Sequence, residues 1–337
     1  MVTYLIRRLF GALLMLIVVS MVTFSIFFLV PRAAGATPTD FASRYLGKSA
    51  NQEMMVALAQ KLGFYDPIPL QYWRWIKAVF VGDTFDTGTS IETCPAPCFG
   101  YSFLKNSPVW DDILSRLPVT LSLAIGAGII WLVVGVAIGV LSALKKGTIF
   151  DRAAMTVALA GVSLPVFFTG MMSLVVFSYA WKLTAPGGSY TPITQDPLMW
   201  AYNLILPWIT LAFLTAAAYA RLTRAGMLET MSEDYIRTAR AKGLRESKVI
   251  AKHGLRAALT PIVTIFGLDL GLLLGGAVLT ESTFSLKGIG QFAIESIQTN
   301  DLPRIMGVTM VAASFIVFAN LVVDLIYGLV DPRVRLG

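Results

Sequence analysis

The chain alternates between long, nearly charge-free apolar stretches and polar segments that separate them. A bilayer core about 30 Å thick takes roughly 20 apolar residues as a helix, so each stretch of that length is a candidate span. Six occur, at about Leu9–Val30, Val119–Leu144, Met155–Trp181, Leu204–Tyr219, Pro261–Leu279 and Ile305–Leu329. The fourth is short and the sixth carries Asp324. The pattern predicts an all-α integral membrane protein with six transmembrane helices. Arg7 and Arg8 before the first stretch also suit a secretory signal. Its more than 20 apolar residues, ending at Pro31-Arg32, exceed a signal core, so a retained helix is expected.

Composition agrees with a membrane as the solvent: 56% of residues are hydrophobic and 14% charged, against roughly 25% charged in a soluble domain. The net charge of +7 follows from topology. With the N-terminus on the cytoplasmic side, the cytoplasmic pieces hold 16 Lys and Arg against 6 Asp and Glu, and the outer pieces 11 against 12. This is the asymmetry expected when cationic loops stay inside. Both termini are then cytoplasmic, and the basicity calls for no nucleic-acid partner.

The polar segment 31–116 falls outside the membrane in this topology. Within it, "PLQYWRWIKAVF" has an amphipathic pattern that suits either a packed loop helix or one lying at the bilayer interface. Both cysteines of the chain, Cys94 and Cys98, lie in "CPAPC". In an oxidising compartment they can close a small loop, and the prolines limit the conformations that closure removes. The spacing is not Cys-x-x-Cys, and two cysteines without a nearby His make a poor zinc site.

The longest cytoplasmic loop contains "SEDYIRTARAKGLRESKVIAKHGLRAAL", which reads as two short helices. Ser232 is placed to cap the first, Glu233 and Asp234 occupy its first turn, and Gly243 ends it. The second runs from near Glu246 toward Gly254. Tyr235, Ala239 and Gly243 recur at four-residue intervals as a stripe that is small at its end, with Arg237, Arg240 and Lys242 around it. A small stripe lets another surface approach closely, whereas basic composition alone suits anionic lipid headgroups.

"DYIRTARAKGL" resembles the EAA signature of ATP-binding-cassette importer permeases, in which an Ala and a Gly four residues apart form the characteristic pair. Ala239 and Gly243 match that pair, and Leu259-Thr260-Pro261 resembles the Leu-x-Pro that opens the following span. "RLPVTLSL", "ESTFSLKGIGQFAIESIQTNDLP" and the terminal "DPRVR" are similar to the dipeptide/oligopeptide/nickel branch. Two features depart from that branch. Pro31-Arg32-Ala33-Ala34 stands where Pro-Gly-Asp-Pro is common, and an insertion around Asp86–Phe99 carries the cysteine pair.

The resemblance implies a type I importer permease fold and a division of the chain into an N-terminal helix (1–30), an outer region (31–116), a five-helix core (117–330) with a coupling loop (221–260), and a cytoplasmic tail (331–337). It implies ATP-driven import, with peptides as cargo or, alternatively, nickel or another small solute. Asp234, Tyr235, Ala239, Arg240, Lys242, Gly243 and Leu244 become the ATPase-coupling residues. The implied partners are a second homologous permease, two ATPase subunits that hold ATP and Mg, an extracytoplasmic binding protein, and the lipid bilayer of a prokaryotic cytoplasmic membrane. The chain itself is expected to bind no cofactor or metal and to catalyse no reaction. In keeping with this, no Gly-x4-Gly-Lys-Ser/Thr phosphate loop occurs.

Six spans also suit a proton-coupled transporter, and intramembrane acids are the groups such a protein would use. Asp324 lies near the cytoplasmic end, beside Arg333 and Arg335, and reads as an ion pair or helix cap. Asp269, nearer mid-membrane, could face a path or a partner subunit. Gly267 and Gly271 flank it, and Gly135 and Gly139 form a second such pair; close helix packing is their usual meaning. Pro165 is expected to kink the third span.

Overall fold

The computed structural model describes residues 2–46, 51–86 and 90–330, with side chains from Ile6 onward except at 162, 324 and 326–330. The tail 331–337 and the side chain of Asp324 lie outside the described residues. In chain order the elements are α1 (Val2–Phe24, continued by a π-helical turn and Val30–Ala33), α2 (Pro38–Leu46), α3 (Gln52–Lys61), α4 (Ile68–Val81), β1 (Asp83–Asp86), β2 (Ile91–Cys94), β3 (Tyr101–Ser102) and β4 (Ser107–Pro108). There follow α5 (Val109–Leu144), α6 (Ile149–Ser163), α7 (Val166–Ser173, continued by a π-helical stretch to Ala180), α8 (Pro197–Thr230), α9 (Asp234–Ala241), α10 (Arg256–Leu274), α11 (Val278–Thr283), α12 (Ile289–Thr299) and α13 (Leu302–Val330). Among the described residues, five helices are long and apolar enough to span a membrane, or six if the bent pair α6 and α7 forms one span. The protein is therefore a mainly helical, multi-pass membrane protein.

Two compact units emerge, each assembled from separate stretches of chain. The first comprises Met1–Thr120, Leu274–Val278 and Lys287–Leu321. Its centre is a stack of aromatic rings: Phe24 and Phe28 of α1 lie 4.7 Å apart, and Phe28 meets Phe41 at 5.3 Å and Phe64 at 5.9 Å. One face of α4 joins this core. Tyr72 Oη lies 2.8 Å from Ser20 Oγ, and Trp75 packs against the cluster. The opposite face leaves Trp73 62% and Phe80 74% exposed, so the amphipathic helix both packs inward and presents aromatic rings outward. Two antiparallel two-stranded sheets follow, β1 with β2 (Asp83 opposite Cys94) and β3 with β4 (Tyr101 opposite Pro108).

A second cluster of this unit surrounds Arg304, which is nearly buried. It pairs with Asp112 and lies 3.5 Å from Asp301, which in turn accepts a hydrogen bond from Ser102. The guanidinium groups of Arg116 and Arg304 sit 4.8 and 5.1 Å from the Phe292 ring of α12. Two cations flanking one ring are tolerated because its π faces are negative and because each cation has a carboxylate. Arg116 meets Glu295 at 2.9 Å.

The second unit comprises Leu121–Leu273, Leu279–Leu286 and Val322–Gly337. Here α5 and α8 pack so closely that a Cβ on Gly135 would lie 2.7 Å from Tyr219 Cβ, and one on Gly139 would lie 2.6 Å from the Ala220 carbonyl. The Gly-x-x-x-Gly spacing thus marks a helix contact. Trp208 Nε1 donates to the Ser122 carbonyl at 2.9 Å, closing the same face.

Three boundaries differ from those predicted. The fourth window, Leu204–Tyr219, lies inside a 34-residue helix that runs on to Thr230. Arg221 and Arg224 ended the apolar pattern, yet helices continue through charge when it is paired. Arg224 Nε and Nη2 donate to buried Asp151 at 2.6 and 2.8 Å, and Ser142 and the Gly147 amide also donate to that carboxylate. Much of the predicted loop 221–260 is therefore helix. The predicted second loop helix is also not separate, since Glu246–Lys248 passes through a π-helical Val249–Leu255 directly into α10. At Pro165 the third window breaks rather than kinks, by 102° between α6 and α7. Leu164 is extended (φ −89°, ψ 135°), the conformation forced on a residue preceding proline.

Candidate functional site

Helix α9 is short and strongly two-sided. Ile236 is fully buried and Ala239 is 7% exposed, packed with Val249 and against Met231 and Leu244. The other side presents Tyr235, Arg237, Arg240 and Lys242 to the surroundings. Asp234 stands in the first turn, where the amide ends of the helix favour a carboxylate. Ser232 does not cap the helix. Its hydroxyl donates to the Glu229 carbonyl at 2.7 Å, closing the end of α8, and Glu233 holds the N-cap position without a side-chain bond.

The end of α9 follows the expected chemistry. Gly243 adopts φ +74°, its amide bonds the Arg240 carbonyl at 2.9 Å, and the Leu244 amide reaches back to Ala239 at 3.4 Å. This is a left-handed glycine stop that satisfies the last carbonyls. A Cβ on Gly243 would meet nothing within 4 Å, so the glycine is required by backbone conformation and leaves open space beside it. Arg240 then clasps Glu246 with two bonds, 2.6 and 3.1 Å, which fixes the turn into the next helical segment. That carboxylate raises the Arg240 guanidinium above its ordinary value. Partial desolvation of the outward Tyr235 phenol, aided by the Glu233 carboxylate, raises it above its ordinary value.

The small-residue stripe is therefore divided by the fold. Tyr235 and Gly243 lie outward, while Ala239 lies inward on Ile236 and Val249. Ala239 serves as the close-approach point between α9 and the start of the next helix.

Asp269 of α10 accepts a hydrogen bond from Tyr219 Oη of α8 at 2.7 Å. The two border an open, largely apolar depression of about 520 Å³ together with Arg221 and Ile265. Gly267 packs on Val323, with no room for a side chain, and Gly271 is buried in α10. Cys94 and Cys98 are joined by a disulfide and both are buried. Among the described residues no three His, Cys, Asp or Glu side chains gather as metal ligands.

Sequence reasoning missed the Asp151 and Arg304 clusters. Thr148 three residues before Asp151 was a helix-start signal, but nothing local announced Arg224 as its partner, 73 residues away.

The family described as "Binding-protein-dependent transport system inner membrane component" matches residues 135–336, and its N-terminal companion matches residues 1–124. The chain belongs to this family. It is accordingly a permease subunit, the non-catalytic membrane component of a binding-protein-dependent transport system. It is 36% identical, over 99% of each chain, to the dipeptide transport system permease protein DppB of Escherichia coli K12. It is also 36% identical to a probable peptide ABC transporter permease protein, y4tP, of Sinorhizobium fredii, over 98% of this chain and 99% of the other. A solved chain of the MetNI methionine ABC transporter in an inward-facing conformation has the same fold, with a TM-score of 0.52 and 19% identity over 65% of this chain and 96% of that one.

Proposed function

We propose that this chain forms half of the translocation path of an ATP-driven importer of short peptides and receives the ATPase stroke through α9. The cargo class is inferred from the relatives, which are peptide permeases along their whole length. In this reading the bent pair α6 and α7 is one span, giving six. Both termini and α9 face the cytoplasm of a prokaryote, and the segment from Pro31 to Arg116 faces outward, where its disulfide suits an oxidising compartment. The partners are a second homologous permease, two ATPase subunits that hold ATP and Mg, and an external binding protein.

The observation that carries the coupling assignment is the construction of α9. Its inner side is anchored by Ile236, Ala239 and Val249, and its outer side is polar, cationic and open beside Gly243. A helix fixed on one side and free on the other can be gripped without being displaced. Coupling then amounts to moving α9 together with the long helix that continues from it.

The native cysteines are bridged, so single introduced thiols give clean readouts. Arg237→Cys should cross-link to an ATPase subunit in the assembled complex and react with an impermeant maleimide only from the cytoplasmic face. Ile91→Cys, on the exposed edge of β2, should react only from the opposite face. Labelling of both from one side would refute the topology, and an Arg237→Cys thiol that remained uncross-linked in an active complex would refute the coupling role.

A further inference from the structure

Two opposite charges of the second unit, the half-buried Asp269 of α10 and the exposed Arg221 of α8, lack each other as partners. Asp269 holds one hydrogen bond, from Tyr219 at 2.7 Å, whereas an ionised carboxylate has about four acceptor sites. Arg221, on the helix that carries Tyr219, has five N–H donors. Among the described residues neither Asp269 nor Arg221 has an ion-pair partner, and Arg221 has no hydrogen-bond acceptor. Elsewhere in this unit the chain does pair such groups, as Arg224 does with Asp151. An ionisable side chain within a membrane span is costly, and one that persists there, as Asp269 does in α10, faces a bundle interior or a water-filled cavity.

Both groups border one open depression of about 520 Å³, a volume within the roughly 300–1,000 Å³ range of small-ligand sites. The rest of its wall is Thr215, Ala218, Leu222 and Ile265, largely apolar. Tyr219 is itself held by α5, whose Gly135 admits its Cβ, so the Asp269 carboxylate is aimed by a fixed donor. An apolar cradle with a carboxylate and a guanidinium in one wall complements a small molecule that carries an ammonium and a carboxylate.

We infer that this depression is a zwitterion-recognition site in the translocation path, with Asp269 binding the free N-terminal ammonium of a short peptide and Arg221 its C-terminal carboxylate. Tyr219 acts as the positioning residue for Asp269. The inference rests on the peptide-import reading and deepens it, because it assigns selectivity for free termini to this chain.

The test uses the assembled importer in nanodiscs with Ala218→Cys, whose thiol borders the depression while the native cysteines stay bridged. Alkylation of that thiol is timed with Ala-Phe, N-acetyl-Ala-Phe or Ala-Phe-amide present, without binding protein. The free dipeptide should slow alkylation, and either blocked peptide should protect about tenfold more weakly or worse, the scale of one lost hydrogen bond to a charged group. Asp269→Asn should erase the distinction between free and N-acetylated peptide only, and Arg221→Gln the distinction between free and amidated peptide only. A packing or general-polarity role would not produce that crossed pattern. The peptide series on Ala218→Cys alone keeps the test decisive if either variant fails to assemble. Equal protection by all three peptides, or by none, overturns the site. Binding-protein-dependent, ATP-driven uptake of Ala-Phe by the unsubstituted complex tests the import reading separately. Uptake with charge-blind protection sinks the site alone, and absence of uptake sinks the reading beneath it.

Discussion

The segment from Pro31 to Pro108 and the segment from Met231 to Leu255 both interrupt long apolar helices, yet they are stabilised in different ways. The first encloses a core of its own, in which Phe41, Phe64, Leu58 and Ala59 are buried against Phe24 and Phe28, two small sheets follow, and a disulfide closes the end of β2. The second has a far smaller core, Ile236, Ala239 and Val249 with Met231 and Leu244 at the edge, supplemented by the Arg240–Glu246 pair and by Ile250 and Leu255 packed near Met227 and Ala258. A segment with a full core resists displacement as a body. One with so small a core depends more on its surface, and on whatever grips that surface, for its position. Under the proposed coupling role, α9 is the moving contact and the segment after α1 the fixed platform.

The substitution that breaks the contrast most severely is Gly243→Leu. A non-glycine residue in the left-handed region costs about 1–2 kcal/mol, and a bulky side chain fills the open space beside α9. ATP-driven uptake in vesicles should fall to background while the amount of protein in the membrane is unchanged. Gly243→Asn tolerates the same backbone conformation and should retain most of the uptake. Next comes Asp301→Leu in the platform. It strips a carboxylate from buried Arg304 and the acceptor from Ser102, and should lower stability by about 3 kcal/mol, read as a reduced thermal midpoint.

Ile236→Ala sharpens the comparison from the other side. Removing the largest anchor of α9 should cost about 2 kcal/mol but act locally. Amide exchange should quicken in residues 234–255 and remain unchanged in residues 52–81. The smallest effect is expected at Asp40. Its carboxylate accepts from the Thr37 amide and hydroxyl, both at 2.7 Å, and these bonds, the backbone one first, hold it below its ordinary value of 3.8. A lowered folded value means that the stabilisation is complete above 3.8 and is lost as pH falls through the lowered value. Exchange at the first turn of α2 should therefore quicken only below about pH 4, and Asp40→Asn should remove that dependence.

Much of this was legible in the sequence because the features depend on near neighbours. Apolar length located the spans, Gly243 marked a helix end, and Cys94 and Cys98 were close enough to bridge. What escaped were pairings across sequence. Arg221 and Arg224 read as the start of a loop because hydropathy registers charge without its partner, and Asp151 supplies that partner to Arg224 from 73 residues away. Ala239 was read as part of an outward stripe because the four-residue interval places it in line with Tyr235 and Gly243. The inward direction is set by Val249, beyond the turn, which no spacing within α9 contains. The break at Pro165 was foreseen in place and underestimated in size, since its angle depends on the extended Leu164 as well as on the missing amide hydrogen.

The central claim is that this chain supplies a path and a coupling helix, and draws its energy from ATP hydrolysed by other subunits. The most direct measurement is dipeptide uptake into proteoliposomes holding this chain with its partner permease, two ATPases and binding protein, compared with vesicles holding this chain alone. The complete set should import only with ATP and should continue when the proton gradient is collapsed, while the isolated chain transports nothing. Uptake by the isolated chain, driven by a pH gradient without ATP, would contradict the account.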